Sequence, residues 1–213
     1  MKEAFSRVCA CGCLVLLAAV MPSAAQTQKW SAEFGGGVAN PTGDAGSHVY
    51  TGWNFTAGGG YNFRPSVGVM GEFMYTSFGI NRTTLDRLNF PDGDMHVWAF
   101  TANPILRLNP SGPVGAYVIG GGGVYHRLVE FTQPTVALIE GFDPFFGFFY
   151  PVLVPAEQVL RSYSTTKGGL NIGGGMTFAL GSTNAKFYVE GRYHHMFTKV
   201  GTDIVPVTFG IRW

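Results

Sequence analysis

From Trp30 onward, apolar residues alternate with small or polar ones in segments of about ten, the period of a strand with two unlike faces. Trp30, Ala32, Phe34 and Val38 alternate with Ser31, Glu33, Gly35 and Gly37. Trp53, Phe55, Ala57, Tyr61 and Phe63 alternate with Asn54, Thr56, Gly58, Gly60 and Asn62. Val67, Val69, Phe73 and Tyr75 oppose Gly68, Met70, Glu72 and Met74; Trp98, Phe100, Ala102, Pro104 and Leu106 oppose Ala99, Thr101, Asn103, Ile105 and Arg107. A fifth segment runs from about Val114 to His126, where the run Gly120 to Gly123 leaves the facing open. The sixth spans Lys167 to Phe178, the seventh Phe187 to His194 and the eighth Val205 to Trp213.

The two faces identify the solvent. A soluble barrel or sandwich turns its apolar face inward and meets water with Lys and Glu. Here the less apolar face is mostly Gly, Thr, Asn and Ser with isolated charges, which suits a narrow interior. An apolar exterior with aromatic ends is what lipid demands. Trp30, Phe63, Phe187 and Trp213 fall at one rim, and Trp53, Tyr75, Trp98 and Tyr193 near the other. A lipocalin-like soluble barrel is the alternative, but it would carry a more charged outer face. The turns at Arg64–Ser66, Asn109–Pro113 and Gly181–Ala185 are short. The connections Asn40–Gly52, Thr76–Asp94 and about Arg127–Tyr163 are long, and Thr198–Asp203 is intermediate. Alternation of short periplasmic turns with longer outside loops is the habit of outer-membrane barrels. The expected fold is all-β, an eight-stranded antiparallel up-and-down transmembrane β-barrel with both termini periplasmic.

The residues before the first strand read differently. Lys2 and Arg7 precede an apolar stretch from about Val8 to Met21, followed by small residues at Ser23 and Ala25. This pattern predicts a secretory signal peptide over residues 1–25, leaving 26–213 as the barrel domain. All three cysteines lie inside it, so the remainder offers neither disulfides nor thiol chemistry. Removing Lys2, Arg7 and Glu3 from 14 basic and 13 acidic residues leaves no net charge, against nucleic-acid binding.

The closing Val205-x-Val207-x-Phe209-x-Ile211-x-Trp213 and the segment Phe187-Tyr188-Val189-Glu190-Gly191-Arg192-Tyr193 resemble the small outer-membrane β-barrel family of OmpA- and OmpX-like proteins. The resemblance implies that Val207, Phe209, Ile211 and Trp213 form the signal read by the barrel-assembly machinery. It implies outer-membrane lipid and lipopolysaccharide as surroundings, and a monomer. The peptidoglycan-binding domain that OmpA-like proteins often add is not seen in this sequence.

Chemistry is sparse. Glu33, Glu72, Arg107, Lys167, Glu190, Arg192 and Arg212 fall on the inward face, where charges must be paired or hydrated. They form a candidate lumen network that plugs the barrel or lines a narrow polar path. His48, His96, His126, His194 and His195 make no metal motif and read as rim residues. No catalytic residue and no cofactor is expected. The glycine runs lack the Lys-Ser/Thr of a phosphate loop. The third long loop is unexpectedly apolar, with Phe145, Phe146, Phe148, Phe149 and Tyr150 beside Val152, Leu153 and Val154. Such a cluster must pack on something, as a cap, as strands continued past the membrane, or as a surface for a ligand.

Three functions fit. The first is a structural or surface-interaction barrel that recognises partners through its loops. The second, of the kind OmpW-like barrels suggest, is a narrow channel for small or hydrophobic solutes. The third and weakest is a lipid A-modifying enzyme, since His195 near Thr198 only poorly matches a lipid-facing catalytic site.

Overall fold

The alternating segments pair with their neighbours in sequence and then close on themselves. A computed structural model describes residues 29–110, 112–181, 183–198 and 202–213. The expected leader, 1–25, lies outside the described residues. The elements are β1 (Trp30–Thr42), α1 (Gly43–Gly46), β2 (Gly52–Arg64), β3 (Val67–Gly79), α2 (Arg82–Leu88), β4 (Asp92–Arg107), β5 (Val114–Asp143), β6 (Phe148–Ala179), β7 (Lys186–Met196) and β8 (Thr202–Arg212). Eight antiparallel strands form one closed barrel in sequence order. Closure comes from β1 on β8, with Glu33 opposite Arg212 and Val38 opposite Val207. A closed sheet leaves no backbone edge in hydrocarbon, which is the condition for a strand-built membrane span.

Two aromatic belts bound the span. At the short-turn end Trp30 packs edge-on against Tyr61, whose ring also meets Phe63. At the other end Trp53, Tyr75, Trp98 and His126 follow one another around the barrel with centroids 5.2–5.5 Å apart. Along β2 the belts are separated by Trp53 to Phe63, close to the roughly 9–11 residues a tilted strand needs to cross a bilayer.

Above the second belt the strands continue, replacing much of what the sequence suggested were loops. The reason is that their alternation reverses polarity. Within the span, polar residues point inward. Above it, Phe78, Met95, Val97, Phe131, Met196 and Ile204 point inward and are buried. Ser77, Asp94, Glu130, His195 and Asp203 take the outer, less buried positions. The barrel is inside-out in lipid and becomes an ordinary apolar-cored barrel in water. Two short helices close the top. Asn81 caps α2 by accepting from Thr84 N–H, Asn89 ends it in the left-handed conformation, and Leu85 is driven into the core. A bridge between Val49 and Ile80 ties the two upper loops together.

The third connection is not an irregular loop. β5 and β6 stay paired out to Asp143 and Phe148, with one irregularity at Phe131/Thr132. At about 3.3 Å per residue, Arg127–Asp143 reaches on the order of 50 Å beyond the outer belt. Asp143 builds the tip by accepting from the N–H groups of Phe145 (2.8 Å) and Phe146 (3.1 Å) through its side chain. Gly147 supplies the left-handed residue the turn requires.

Candidate functional site: a buried charge layer and an exposed hairpin

The centre of the lumen is a polar layer to which all eight strands contribute. Arg192 of β7 binds Glu72 of β3 in a two-point fork, Nη1–Oε2 at 2.6 Å and Nη2–Oε1 at 3.0 Å. The same Nη2 reaches Glu190 Oε1 at 2.5 Å. Residues two apart on a strand share a face, so Glu190 and Arg192 are brought together by the pleat itself. Arg212 of β8 donates from Nε to Glu33 Oε2 of β1 at 2.7 Å, and its Nη2 lies 3.6 Å from Glu190 Oε2. Its guanidinium stands 4.5 Å from the ring centre of Tyr117 and 4.9 Å from that of Tyr188. Tyr117 donates to Glu190 Oε2 at 2.9 Å. Asn103 donates to Glu72 and to Thr101, and receives Asn171 Nδ2 at 2.9 Å. Asn54 Nδ2 on β2 binds Thr208 Oγ1 at 2.7 Å.

Glycine makes the room. A Cβ on Gly58 would stand 2.9 Å from Glu72 Cγ and 3.2 Å from Glu33 Cγ. A Cβ on Gly175 would meet the Tyr117 hydroxyl at 2.5 Å. The inward glycines face large side chains across a narrow lumen, so they set where the charged layer fits.

Five of the seven sequence-named charges therefore meet: Glu33, Glu72, Glu190, Arg192 and Arg212. Each is at most 7% exposed. Arg107 lies lower, half-buried at a periplasmic-side cavity of about 200 Å³ that Lys186 and Arg212 also line. Lys167 has the inward register position opposite Tyr125 but is exposed. Tyr117, Tyr188, Asn103 and Asn171 were not singled out in the sequence, although inward parity marks all but Tyr117, whose facing the glycine run obscured. His194 departs from the rim placement: it is buried and shares a 2.9 Å hydrogen bond with the Tyr125 hydroxyl. Among the described residues no group of three His, Cys, Asp or Glu side chains could hold a metal.

Apolar layers flank the charges. Met70, Ile105, Tyr117 and Ile119 pack on one side. The larger cluster around Met74, Phe78, Met95, Val97, Tyr125 and Phe131 packs on the other. Sequence reading expected an interior of small residues and charges; the two apolar layers are the addition, carried by Met70, Met74 and Ile105 on the inward face.

The outer hairpin is the opposite environment. Leu138 faces Leu153 and Phe142 faces Phe149 on one side; Ile139 faces Val152 and Gly141 faces Tyr150 on the other. All of the named large side chains but Val152 are exposed, and at the tip Phe145 is 85% and Phe146 71% exposed. Phe148 and Phe149 continue this surface. Val207, Phe209, Ile211 and Trp213 line the lipid face of the last strand, where Trp213 N–H bonds Ala32 carbonyl at 2.9 Å.

A closed eight-stranded barrel with an apolar outer face, two aromatic belts and buried ion pairs defines a small outer-membrane barrel. The chain belongs to the outer membrane protein beta-barrel domain family, whose model matches residues 11–212. Both ends of the barrel ribbon lie on the short-turn, periplasmic side. Among solved structures it is similar to neisserial surface protein A (NspA), with a TM-score of 0.58 and 14% identity over 87% of this chain and 96% of that one. It also matches Ail, the attachment invasion locus protein of Yersinia pestis, solved with the heparin analogue sucrose octasulfate (TM-score 0.48, 21% identity, 86% and 97% covered). The N-terminal barrel domain of Pseudomonas aeruginosa OprF matches with a TM-score of 0.41 and 12% identity over 88% and 100%. No curated protein matches the chain at a significant level.

Proposed function

We propose that this protein is a non-enzymatic surface-interaction barrel, monomeric in the outer membrane, whose β5–β6 hairpin meets the ligand. The observation that carries the reading is the hairpin itself. It projects past the membrane with apolar side chains on both faces, and Phe145, Phe146, Phe148, Phe149 and Tyr150 crowd its tip. An isolated two-stranded ribbon is marginal in water, and apolar patches of this kind mark interaction sites. Lipopolysaccharide, a neighbouring barrel or a host surface would supply the missing cover. Residues 1–25 act as the secretory leader, and Val207, Phe209, Ile211 and Trp213 as the signal for the assembly machinery. Deleting Thr135–Pro155 tests the assignment. The shortened protein should still shift on detergent gels between unboiled and boiled samples. Expressing cells should lose adhesion to an immobilised hydrophobic surface and to cultured epithelial cells. Unchanged adhesion sinks the hairpin assignment.

A narrow channel is the second reading, favoured by cavities at both ends of the lumen. Against it, Asn54, Thr76, Asn103 and Tyr125 are almost fully buried between those ends. Planar-bilayer recordings separate the two. A closed plug gives no discrete openings, whereas openings altered by Glu190→Gln would establish a path through the charge layer.

A further inference from the structure

We infer that the outer cap of the barrel holds a binding site for a small amphipathic carboxylate, separate from the hairpin. The site is a cavity of about 250 Å³ between the two upper helices and the extended rims of β4, β5 and β8. Its wall is apolar: Val49, Ile80, Met95, Val129 and Phe131. Taking about 30 Å³ per water in the liquid, the space holds roughly eight waters, or a ligand of about a dozen non-hydrogen atoms at tighter packing. A concave apolar chamber with a few convergent polar groups is the usual form of a small-molecule site.

The polar group that converges here is Arg127. Its guanidinium is half-buried at the cavity and donates from Nη1 to Thr202 Oγ1 at 2.6 Å. It forms no ion pair among the described residues, unlike Arg192 and Arg212 below it. A guanidinium presents five donors in a plane, so one hydroxyl leaves most of its fork for another acceptor. Beside an apolar wall, the complement is a planar anion on a hydrophobic body. Asp44 and His48 also line the rim, and His48 is engaged with Thr84 Oγ1 at 3.1 Å. One acid at the rim disfavours ligands with several negative charges and leaves room for one carboxylate. The apolar cluster beneath the cavity makes it a blind pocket, so the site retains a ligand at the outer surface.

The test uses the full barrel in lipid nanodiscs, titrated calorimetrically with 4-phenylbutanoate and with its uncharged counterpart 4-phenylbutan-1-ol. Saturable one-to-one binding of the acid is expected, with the alcohol weaker by about tenfold or more, the scale of a charge-assisted contact. Arg127→Gln should weaken the acid by about tenfold and leave the alcohol nearly unchanged. Ala45→Trp, placed on the short exposed helix at the cavity, should abolish binding of both, and it keeps the test intact if Arg127→Gln does not fold. Deleting the outer hairpin tip should leave the affinity unchanged, so this site and the surface role fail or stand separately. Binding no stronger than to empty nanodiscs, equal affinity for acid and alcohol, or full affinity in Ala45→Trp overturns the inference.

Discussion

The barrel body and the β5–β6 hairpin are built from the same alternating ladder, yet they solve opposite problems. In the body every strand has a neighbour on each edge, lipid or water on one face and packed side chains on the other. Polar groups there are buried but matched: Glu72 with Arg192, Glu33 with Arg212, Tyr117 with Glu190. In the hairpin both outer edges are free, both faces carry Val, Leu, Ile and Phe, and nothing among the described residues covers them. A sheet is stabilised by what it is pressed against, and only the body has that. Unpaired, apolar edges are normally suppressed in proteins. Their retention in one hairpin, while short helices close the β1–β2 and β3–β4 connections, is the contrast behind the proposed interaction surface.

The widest way to separate the two regions is to unpair the body. Arg192→Met removes the shared partner of Glu72 and Glu190 and leaves two carboxylates enclosed. Breaking a buried pair from one side costs about 3–5 kcal/mol, so urea unfolding of the barrel in lipid vesicles should show a loss of that size. Adding Glu72→Leu to that variant should recover much of it, because an apolar filler needs no partner. A double variant as unstable as the single one would mean that the unpaired Glu72 carboxylate is not what destabilises the body.

Between body and hairpin lies the cap. Leu85 is the side chain by which α2 holds to the apolar cluster. Truncation of a buried Leu costs roughly 2–5 kcal/mol. Leu85→Ala should therefore open the cap, read as faster amide exchange over residues 82–90, while exchange of the Trp53–Phe63 ladder stays unchanged. Equal acceleration in both would make cap and body one cooperative unit.

Much of the body was legible in the alternation because lipid enforces a strict rule on one face of every strand. The extensions were not, because above Tyr75 and Trp98 the same alternation carries the opposite polarity. A search for apolar-out segments stops there. The hairpin was one of the forms left open for the apolar third connection, and register alone selects it. Pro134, Pro151 and Pro155 each sit where the strand is an edge and a missing N–H goes unnoticed. Parity assigns a side chain to the lumen but gives no depth. Glu190 and Arg192, two apart on one inward face, were expected at the centre, but only the register between strands separates the other enclosed charges from Arg107 and Lys167 at the ends. The Tyr117–Arg212–Tyr188 stack depends on three strands, so no single segment announces it.

Shortening the hairpin by Thr135–Pro155 should alter the body far less than either change above. Its residues touch none of the buried pairs, and surface changes away from such features stay within about 0.5 kcal/mol. The unfolding midpoint of the barrel should hold while adhesion is lost. A large destabilisation would mean that the hairpin folds back onto the rim and belongs to the body.

The smallest effect is expected at Lys167, and it sets the upper boundary of the charge layer. Lys167 has the same inward parity as Arg192 and stands opposite Tyr125. The Tyr125 ring occupies the lumen at that level, so closely that a Cβ on neighbouring Gly169 would come within 2.8 Å of it. Lys167 is exposed, and a long cationic side chain beside a filled lumen gains by keeping its ammonium in water. Lys167→Ala should therefore change stability by no more than about 0.5 kcal/mol, against several for Arg192→Met on the same face. A loss above about 2 kcal/mol would place Lys167 inside the paired layer. The enclosed region would then extend past Tyr125 toward the hairpin, and the sharp boundary between the two regions would have to move outward.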